Sequence, residues 1–413
     1  MPFHGKSPMK TLLDTPRQGK RVLLTGGTGY LGSLLAAQML RDGWAEHLVL
    51  PTRRPPATGS IPDEVRNELQ ALGDLPDRHG HRVASIHWQG AESATNESLR
   101  AMLEAHGVDT IVHCAGCLDY FDNEALTALN VDFTTRLVEA AKQARVQCFV
   151  FVSTAYSAGY SDASIPEAPL STPERDPTRY TLTKRAAEHV VAQSGLPYLV
   201  VRPSIVIGDS TTGRYSGKRY GLYQQWMGVE RLMSDRYHPE LHTVATEQPV
   251  NLLHQDAFQT AMASILRWVP CGAHVNLVAC GSAAPSMRDL WRMMCEVTRP
   301  QRVVFYDSLQ QVDLKAIDIR QRSYLTFART NIAIAAHVWR FERDWLHLLQ
   351  QRGLEFVDIS MATVKVCQDR FVGSSHPLQR YLEHFQSEFP AEVTYQNFDG
   401  NPMAFVTADH ELA

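Results

Sequence analysis

The chain has 413 residues, of which 44% are hydrophobic and 20% charged, and its formal net charge is −4. This composition is typical of a globular protein with one large or two smaller domains, and it argues against nucleic-acid binding as the main role. No apolar run reaches the roughly 18 residues that span a bilayer, residues 1–19 lack the apolar segment of a secretory signal, and the seven cysteines are scattered, so we expect a flexible leader over 1–19 and a cytoplasmic protein with reduced thiols.

A glycine-rich turn follows the first predicted strand. The run Thr25-Gly26-Gly27-Thr28-Gly29-Tyr30-Leu31-Gly32 ends an apolar stretch and opens a predicted helix over Tyr30–Arg41. Glycines at such a junction let backbone N–H groups approach a pyrophosphate, and the helix N-terminus directs partial positive charge toward that anion. Because the glycine spacing differs from the commoner G-x-G-x-x-G, a strand–helix turn without a ligand is the alternative interpretation.

The second predicted strand, His47–Leu50, leads into Arg53 and Arg54. In a dinucleotide-binding fold this strand end faces the adenosine ribose, where an acidic residue selects NAD and arginines favour the 2′-phosphate of NADP. The segment Pro51-Thr52-Arg53-Arg54 contains no acid, so the sequence favours NADP(H). A solvated basic loop is the alternative interpretation.

Strands and helices alternate through the rest of the first half, which predicts an α/β fold with a doubly wound parallel sheet. The further predicted strands are 83–88, 110–116, 148–152 and 199–208, and the helices are 61–72, 98–105, 126–144 and 176–193. After a stretch without strand periodicity at 209–248, the pattern returns with a strand at 250–253, a helix at 256–266 and a strand at 275–278. We therefore expect a Rossmann domain formed by residues 20–208 and 250–282.

The remaining residues, 209–249 and 283–413, are predicted to form a substrate-binding insert and a smaller, mostly helical C-terminal cap. The insert is rich in Tyr, Trp, Arg and Gly. Ser286 is a good N-cap for a helix over Met287–Val297, and the chain stays mostly helical to Phe385.

Three polar side chains carry candidate chemistry. Thr154 follows the fifth strand, and Tyr180 and Lys184 share one face of the next helix because they lie four residues apart. A nearby ammonium group and an oxidised nicotinamide would lower the pKa of the tyrosine phenol, while the threonine would hold the substrate oxygen. The set suits hydride transfer to a carbonyl, with Tyr180 as the proton donor. A surface Tyr–Lys pair is the alternative, and the preceding glycine turn and Ser-Thr pair argue against it.

These motifs, in this order, resemble the extended short-chain dehydrogenase/reductase (SDR) superfamily. Within it, the chain is similar to the fatty acyl reductase and thioester reductase branch, which includes male-sterility-type reductases and the terminal reductase domains of carboxylic acid reductases. The resemblance covers about residues 20–280 and rests on Thr25–Gly32, His113–Gly116 with Phe121 and Asn130-Val131, Val152–Tyr156, Tyr180–Lys184 and Arg202–Val206. The last three motifs are more specific to this branch than the glycine turn is.

The resemblance implies catalytic roles for Thr154, Tyr180 and Lys184. It also implies that the glycine turn holds the pyrophosphate, that the arginines hold the 2′-phosphate, and that the residues after the sixth strand lie beside the nicotinamide. The expected dinucleotide-binding set is Gly26, Thr28, Gly29, Tyr30, Leu31, Gly32, Arg53, Arg54, Ala115, Gly116, Asn130, Tyr180, Lys184, Pro203, Ser204 and Ile205. The family usually has Gly-Asp after the third strand, whereas this chain has Gly90-Ala91, which leaves the adenine contact without its acid.

The branch implies an acyl thioester substrate on coenzyme A or an acyl carrier protein, reduced with NADPH to an aldehyde or further to an alcohol. Cations among the aromatic residues of the insert would meet such a partner or form a solvated lid; they are Arg214, Lys218, Arg219, Arg231 and Arg236, among Tyr215, Tyr220, Tyr223 and Trp226. Apolar cap residues would line an acyl tunnel or, as the better expectation, pack in the core; they are Trp339, Phe341, Trp345, Leu346 and Leu349. We expect no metal site, and we interpret His113 as structural.

Two other functions stay open from the sequence. An extended dehydrogenase or epimerase acting on a sugar nucleotide or a secondary alcohol would use the same threonine, tyrosine and lysine with a different cap. A non-catalytic, dinucleotide-sensing regulator could use the same fold, but a regulator needs none of the three catalytic side chains. The sequence specifies neither the acyl chain nor the carrier, the product or the oligomeric state.

Overall fold

Strands and helices alternate along the chain in the computed structural model, which describes residues 10–54, 56, 59–88, 90–91, 93–120, 122–279 and 283–403. Phe121, quoted above for the family resemblance, lies outside the described residues. The strands are β1 (Gly19–Thr25), β2 (Ala45–Thr52), β3 (Val83–His87), β4 (Thr110–His113), β5 (Cys148–Val152), β6 (Tyr198–Pro203), β7 (Ile205–Ile207), β8 (Glu240–Val244), β9 (Leu252–His254), β10 (Ala273–Leu277), β11 (Arg302–Tyr306) and β12 (Thr394–Asn397). The helices are α1 (Tyr30–Arg41), α2 (Asp63–Ala71), α3 (Asn96–Ala105), α4 (Asn123–Thr127), α5 (Phe133–Gln143), α6 (Arg179–Ala192), α7 (Leu222–Met233), α8 (Gln255–Trp268), α9 (Met287–Thr298), α10 (Ile319–Ala336), α11 (Asp344–Gln351), α12 (Met361–Ser374) and α13 (His376–Phe385).

Within the described residues, seven strands form one parallel sheet in the order β3-β2-β1-β4-β5-β6-β10. Strand β1 lies between β2 and β4, with Val22 in register with Leu48 on one side and Thr110 on the other. The strand order reverses between β1 and β4. A crevice therefore opens at the carboxyl ends of these two strands, where doubly wound folds bind their ligands. The predicted parallel, doubly wound α/β sheet is confirmed.

Helices cover both faces of this sheet, so its strands are apolar on both sides. Along β1, Val22 and Leu24 belong to the core of one face and Leu23 to the core of the other, and all three are fully buried. Residues of α1, α2 and α8 pack on the first face, and residues of α3, α5 and α6 pack on the second. Burial on both faces explains why the strands read as nearly continuous apolar runs.

The C-terminal region is helical over most of its length, as predicted, but it also contains a smaller parallel sheet that the sequence did not indicate. Strand β11 pairs with β8 from the insert on one side and with β12 on the other. The insert, expected to lack regular strand structure, contributes β8 and the helix α7, which packs against α10 and α13. Partners of parallel strands lie far apart along the chain and leave no turn signal between them.

The proposed boundaries of the Rossmann domain and the cap stay predictions. Strands β7 and β9 pair in parallel beyond the end of β6, where the chain leaves for the insert and returns from it. In the described part of the chain, no helix is both long and apolar enough to cross a membrane.

Candidate active site

A cleft of about 680 Å³ opens at the carboxyl edge of the sheet, over β1, β2 and β4. Its volume is in the range of ligand-binding pockets. Part of the expected dinucleotide-binding set lines it: Gly26, Thr28, Gly29, Arg53, Arg54, Ala115 and Gly116. The sequence had not assigned several other lining residues: Thr52, Pro62, Asp63, Glu64, Trp88, Leu129 and Phe133.

The glycine turn brings α1 into direct contact with the strand ends. Gly26 has a φ of +73°, and a Cβ there would lie 2.7 Å from the backbone nitrogen of Ala115. A Cβ at Gly32 would lie 2.0 Å from the carbonyl oxygen of Gly26. No side chain caps α1 at Gly29, so the first N–H groups of the helix are available to an anion. This cradle fits the pyrophosphate of a dinucleotide.

A chain of hydrogen bonds fastens the glycine turn to β4 and α5. The Ala115 N–H donates to Thr25 Oγ1 at 3.3 Å, and Thr25 Oγ1 lies 2.6 Å from Nδ1 of the buried His113. His113 Nε2 lies 2.9 Å from Thr134 Oγ1, which donates to the Asn130 carbonyl oxygen at 2.7 Å. The Thr25 oxygen accepts from Ala115, so the Thr25 hydroxyl can donate to Nδ1. The Thr134 hydroxyl donates to Asn130, so its oxygen accepts from Nε2. The proton of the neutral imidazole is therefore assigned to Nε2.

Burial, with Lys184 as the second cause, lowers the pKa of His113 to about 3. The imidazole is therefore neutral at physiological pH. Both ring nitrogens are occupied by threonine hydroxyls, an arrangement that agrees with the structural role predicted for His113.

Arg53 and Arg54 follow β2 at the rim of the cleft and are both exposed. Within the described residues neither guanidinium group forms an ion pair. Thr52, beside them, is buried and its Oγ1 has no hydrogen-bond partner in the described part of the chain. Free cations and an unpaired hydroxyl at this point are compatible with a phosphorylated ribose.

Asn130 lies in a single π-helical turn, Ala128–Asp132, between α4 and α5. This turn interrupts the helix that the sequence predicted as continuous over 126–144. The Asn130 side chain accepts from the Cys117 N–H at 2.8 Å and donates to Thr183 Oγ1 at 3.0 Å. Thr183 in turn donates to the carbonyl oxygen of Tyr180 at 2.8 Å. Asn130 thus joins the loop after β4 to the helix of the candidate catalytic residues, and its position is a π-bulge of the kind common at functional sites.

Lys184 is buried on α6 and reaches the end of β5. Its Nζ donates to the Val152 carbonyl oxygen at 2.7 Å and lies 4.1 Å from the centre of the Phe151 ring. Burial lowers the pKa of Lys184 to about 8, while Cys114 and Glu188 act in the opposite direction. A lysine with this pKa is partly deprotonated in mildly alkaline solution.

Tyr180 lies one turn before Lys184 on α6, with its ring 5.9 Å from that of Tyr120. Burial raises the pKa of Tyr180 above its ordinary value, with Tyr120, Cys114 and Cys117 as further causes. The expected lowering by Lys184 is therefore wrong for the protein by itself, because burial disfavours the phenolate and Lys184 is not among the causes. Cys114, which directly follows β4, is a common cause of the pKa shifts of both residues.

Thr154 begins a short 3₁₀ turn directly after β5. Its Oγ1 accepts from the Tyr156 N–H at 3.4 Å, and the residue is 8% exposed. The hydroxyl hydrogen is not used by this contact, so Thr154 can still donate to a ligand.

Pro203, Ser204 and Ile205 join β6 to β7. The Ser204 N–H donates to the Leu277 carbonyl oxygen at 3.0 Å. Its Oγ is buried without a hydrogen-bond partner among the described residues. An unsatisfied hydroxyl beside the predicted nicotinamide position fits a polar ligand group.

A narrow cavity of about 40 Å³ adjoins this segment. Ile205 and Tyr156 form one side, and residues of α7, α9 and α10 with Trp339 form the other. The volume admits about three water-sized groups. The prediction that cap residues pack in the core is confirmed for Trp345, Leu346 and Leu349, whereas Trp339 lines this cavity.

The insert cations are mostly paired inside the protein. Arg214 forms two bonds with buried Glu68, at 2.7 and 2.8 Å. Arg219 and Arg236 pair with Glu230 and Asp318, both at 3.1 Å. Lys218 instead lines the dinucleotide cleft. Arg214 therefore anchors the insert to α2 through a largely buried pair, and Tyr223 and Trp226 are buried in the core.

Tyr30, Leu31 and Gly32 do not line the cleft, although they belong to the expected set. Tyr30 is turned away and its Oη donates to the Ile207 carbonyl oxygen at 3.1 Å. Leu31 packs against the core.

Sequence reasoning missed a buried ion pair behind the site. Glu188 on α6 and Arg202 on β6 are 1% and 0% exposed, and Arg202 Nη2 donates to Glu188 Oε2 at 2.8 Å. Arg202 stands within the apolar run Leu199–Pro203. A charged side chain inside a buried strand requires a partner of opposite charge. The position of Arg202 in the sequence could therefore have predicted a buried ion pair, though not its partner.

Comparison with known proteins identifies the fold and the family. The structure is similar to the terminal R domain from the myxalamid PKS-NRPS biosynthetic pathway, with a TM-score of 0.70 and 20% identity, covering 86% of this chain and 91% of that one. A nonribosomal peptide synthetase of Penicillium fellutanum is 28% identical over 253 residues, which are 51% of this chain and 10% of that protein. Fatty acyl-CoA reductase 1 of Pongo abelii is 29% identical over 230 residues, 46% of this chain and 44% of that protein.

The parallel, doubly wound sheet with a cleft at the carboxyl ends of its strands is a Rossmann-type fold of the extended SDR kind. A family model described as Male sterility protein matches residues 24–257, more than half of the chain. The chain belongs to this family, in its fatty acyl and thioester reductase branch. It spans less than half of the length of the two curated relatives named above.

Proposed function

We propose that the protein reduces an acyl thioester to an aldehyde, with NADPH as the reductant. The observation that carries this proposal is the grouping of Tyr180, Lys184 and Thr154 at the carboxyl edge of the sheet. Lys184 is bonded to the end of β5, and Thr154 follows that strand. None of the three residues lines the dinucleotide cleft, which lies over β1, β2 and β4, but β4 is the neighbour of β5 in the sheet. The family's relatives support thioesters as the substrate class.

The protein's own groups suit the protonation half of the reaction. A bound nicotinamide would supply hydride to the carbonyl carbon. Burial raises the pKa of Tyr180, so its phenol is protonated and can donate to the developing oxyanion. The Thr154 hydroxyl holds the same oxygen, and Lys184, charged below pH about 8, adds positive charge near it. Collapse of the thiohemiacetal then releases the thiol and leaves the aldehyde.

NADPH is proposed over NADH because of the cations at the cleft. Arg53 and Arg54 are exposed at the rim, and Lys218 reaches the same cleft from the insert. Charge-assisted hydrogen bonds to a phosphate are stronger than neutral ones. Asp63 and Glu64 also line the cleft, at the start of α2, where the helix dipole stabilises their carboxylates.

The acyl group is proposed to enter the cavity beside Ile205. Its walls are mainly apolar, and Trp339 closes one side, held by a hydrogen bond from Nε1 to the Ile334 carbonyl oxygen at 2.7 Å. Since only about 40 Å³ is free, short acyl groups fit as the structure stands, and longer ones require Trp339 to move. The carrier is proposed to be coenzyme A or an acyl carrier protein.

The deciding assay follows NADPH consumption with acyl-coenzyme A and acyl-carrier thioesters of two to twelve carbons. Tyr180→Phe is expected to abolish turnover. The matched control is Tyr198→Phe, another partly buried tyrosine, at the opposite end of the sheet at the start of β6. Turnover that survives Tyr180→Phe would remove the proposed proton donor.

The same assay separates the other substrate class. Wild-type protein that leaves every thioester unreduced, but oxidises a secondary alcohol or converts a nucleotide sugar, would be an extended dehydrogenase or epimerase. Binding of a dinucleotide without any turnover would favour a regulator.

A further inference from the structure

The buried carboxylate of Glu188 lies at the junction of the segments that form the proposed catalytic site. It is on α6, one turn after Lys184 and two turns after Tyr180. Its Oε1 accepts from Ser153 Oγ at 2.5 Å. Ser157 Oγ lies 2.7 Å from Oε1 and 2.8 Å from the Thr154 carbonyl oxygen, and it shares its one hydrogen between these two acceptors. These two serines flank Thr154 at the end of β5.

The other side of the carboxylate meets β6. Arg202 Nε and Nη2 donate to Glu188 Oε2 at 3.0 and 2.8 Å. Arg202 also donates to the carbonyl oxygens of Pro166 and Ala168, and it immediately precedes the Pro203–Ile205 segment. One carboxylate therefore connects α6, the turn after β5 and the end of β6.

Two further bonds fix the Thr154 turn to α6. Lys184 Nζ donates to the Val152 carbonyl oxygen at 2.7 Å, and Arg185 Nη1 donates to the Ser157 carbonyl oxygen at 2.9 Å. Thr154 thus lies between attachments on both sides, while its own side chain makes, among the described residues, only the contact with the Tyr156 N–H. Its position relative to Tyr180 depends on its neighbours.

We propose that Glu188 is a positioning residue: through Ser153 and Ser157 it sets the place of Thr154 relative to Tyr180 and Lys184. The ion pair with Arg202 keeps the carboxylate charged and oriented. Although burial raises the pKa of Glu188, Arg202 and the two serines outweigh it and hold the pKa below its ordinary value. The carboxylate therefore accepts from both serines throughout the neutral range. This inference rests on the proposed reductase function.

The test removes the Ser153 bond to Glu188 and leaves the ion pair intact. Glu188→Gln would leave a buried guanidinium group without its counter-charge and risk unfolding, so Ser153→Ala is the primary variant. Ser375→Ala is the matched control, because Ser375 Oγ also donates to a buried glutamate, Glu230, at 2.5 Å, in the cap. Both variants lose one serine–carboxylate bond. Ser375→Ala also loses the bond from the Leu378 N–H that caps α13, so its thermal midpoint is expected to lie below that of Ser153→Ala.

The proposal expects Ser153→Ala to lower kcat for thioester reduction by roughly tenfold or more, since small misplacement of a reacting group is costly. The KM for NADPH should stay within about twofold, because Ser153 does not line the dinucleotide cleft. Ser375→Ala should keep the wild-type kcat. Equal kcat in Ser153→Ala and wild type, or an equal loss in the Ser375→Ala control, would overturn the inference and leave the reductase function standing.

A second readout does not depend on the substrate. In crystal structures of wild type and Ser153→Ala with NADP⁺, Thr154 Oγ1 is expected to shift relative to Tyr180 Oη in the variant. If no thioester is reduced by the wild type, the proposed function fails, and this shift alone decides the role of Glu188. An unchanged Thr154 position would overturn it.

Discussion

His113 offers the most quantitative test of how the glycine turn is held. Its ring lies within about 6 Å of three aromatic rings, and its two nitrogens bond Thr25 and Thr134. In the neutral form Nδ1 accepts from Thr25, which frees the Thr25 oxygen to accept from the Ala115 N–H. A protonated ring would donate from both nitrogens and break this order, so folding opposes protonation of His113.

The sign and size of the effect follow from the pKa. Burial lowers the pKa of His113 from 6.5 to about 3, so the unfolded chain binds a proton below pH 6.5 that the folded chain does not bind until about pH 3. The stability due to neutral His113 is complete above pH 6.5 and is lost progressively as the pH falls toward 3. Between pH 7 and pH 5 this single group removes about 2 kcal/mol from the free energy of unfolding.

The assay is urea unfolding of wild type and His113→Gln at both pH values. Glutamine retains hydrogen-bonding groups but does not titrate. Between pH 7 and pH 5, the free energy of unfolding should fall by about 2 kcal/mol less in the variant than in wild type. This difference does not depend on how stable the variant is at pH 7. His347→Gln, at an exposed histidine of α11, should lose as much as wild type. Identical losses in wild type and His113→Gln would refute the argument.

Three further results are expected for the site. Replacing Arg53 and Arg54 together by alanine should raise the KM for NADPH roughly tenfold or more, the effect of losing charge-assisted bonds, while the KM for NADH changes little; equal changes in both would exclude the arginines as phosphate ligands. Since burial lowers the pKa of Lys184 to about 8, kcat/KM should fall above that pH as the ammonium group loses its proton. Arginine keeps its charge in this pH range, so the activity that remains in Lys184→Arg should show no decrease of kcat/KM at alkaline pH. The same decrease in wild type and variant would mean that another group causes it. Trp339→Ala should raise kcat/KM for a twelve-carbon thioester relative to that for a four-carbon thioester. The expected increase is about fourfold for each additional methylene that becomes buried. The control is Ala333→Gly, at an exposed position of α10, which should leave this ratio of kcat/KM values unchanged.

The sheet and the position of the site could be predicted because their signals are local. Helix α1 was predicted with its observed bounds, Tyr30–Arg41, and β5 likewise at Cys148–Val152. Each depends on a short apolar pattern ended by glycine or by a polar pair. Parallel strands alternating with helices permit few topologies, so residues at the carboxyl ends of strands could be expected to meet. The residues around the Gly26 turn and Ala115 do meet in one cleft.

The small sheet of the cap could not be predicted in the same way. The strand β11 contains Val303, Val304 and Phe305, a run that is too short to distinguish a strand from a buried helical turn. Its partners β8 and β12 come from distant parts of the chain. Helical periodicity on both sides of β11 hid this pairing.

Within the candidate site, Tyr180 and Lys184 could be predicted from the sequence and Glu188 could not, and the reason is physical. Tyr180 and Lys184 carry a recognisable spacing because one helix face has to present both. Glu188 follows at the same spacing, but its partners are Ser153, directly after β5, and Arg202, on β6, and only the folded chain brings them together. A buried charge is tolerated when every one of its hydrogen-bonding groups is satisfied. Arg202 in the middle of an apolar strand therefore requires a carboxylate from another element, and α6 supplies one on the face that also carries Lys184. Glu188 bonds both Arg202 and Ser153, the neighbour of Thr154, so in our proposal the same carboxylate serves the stability of the sheet and the geometry of the site.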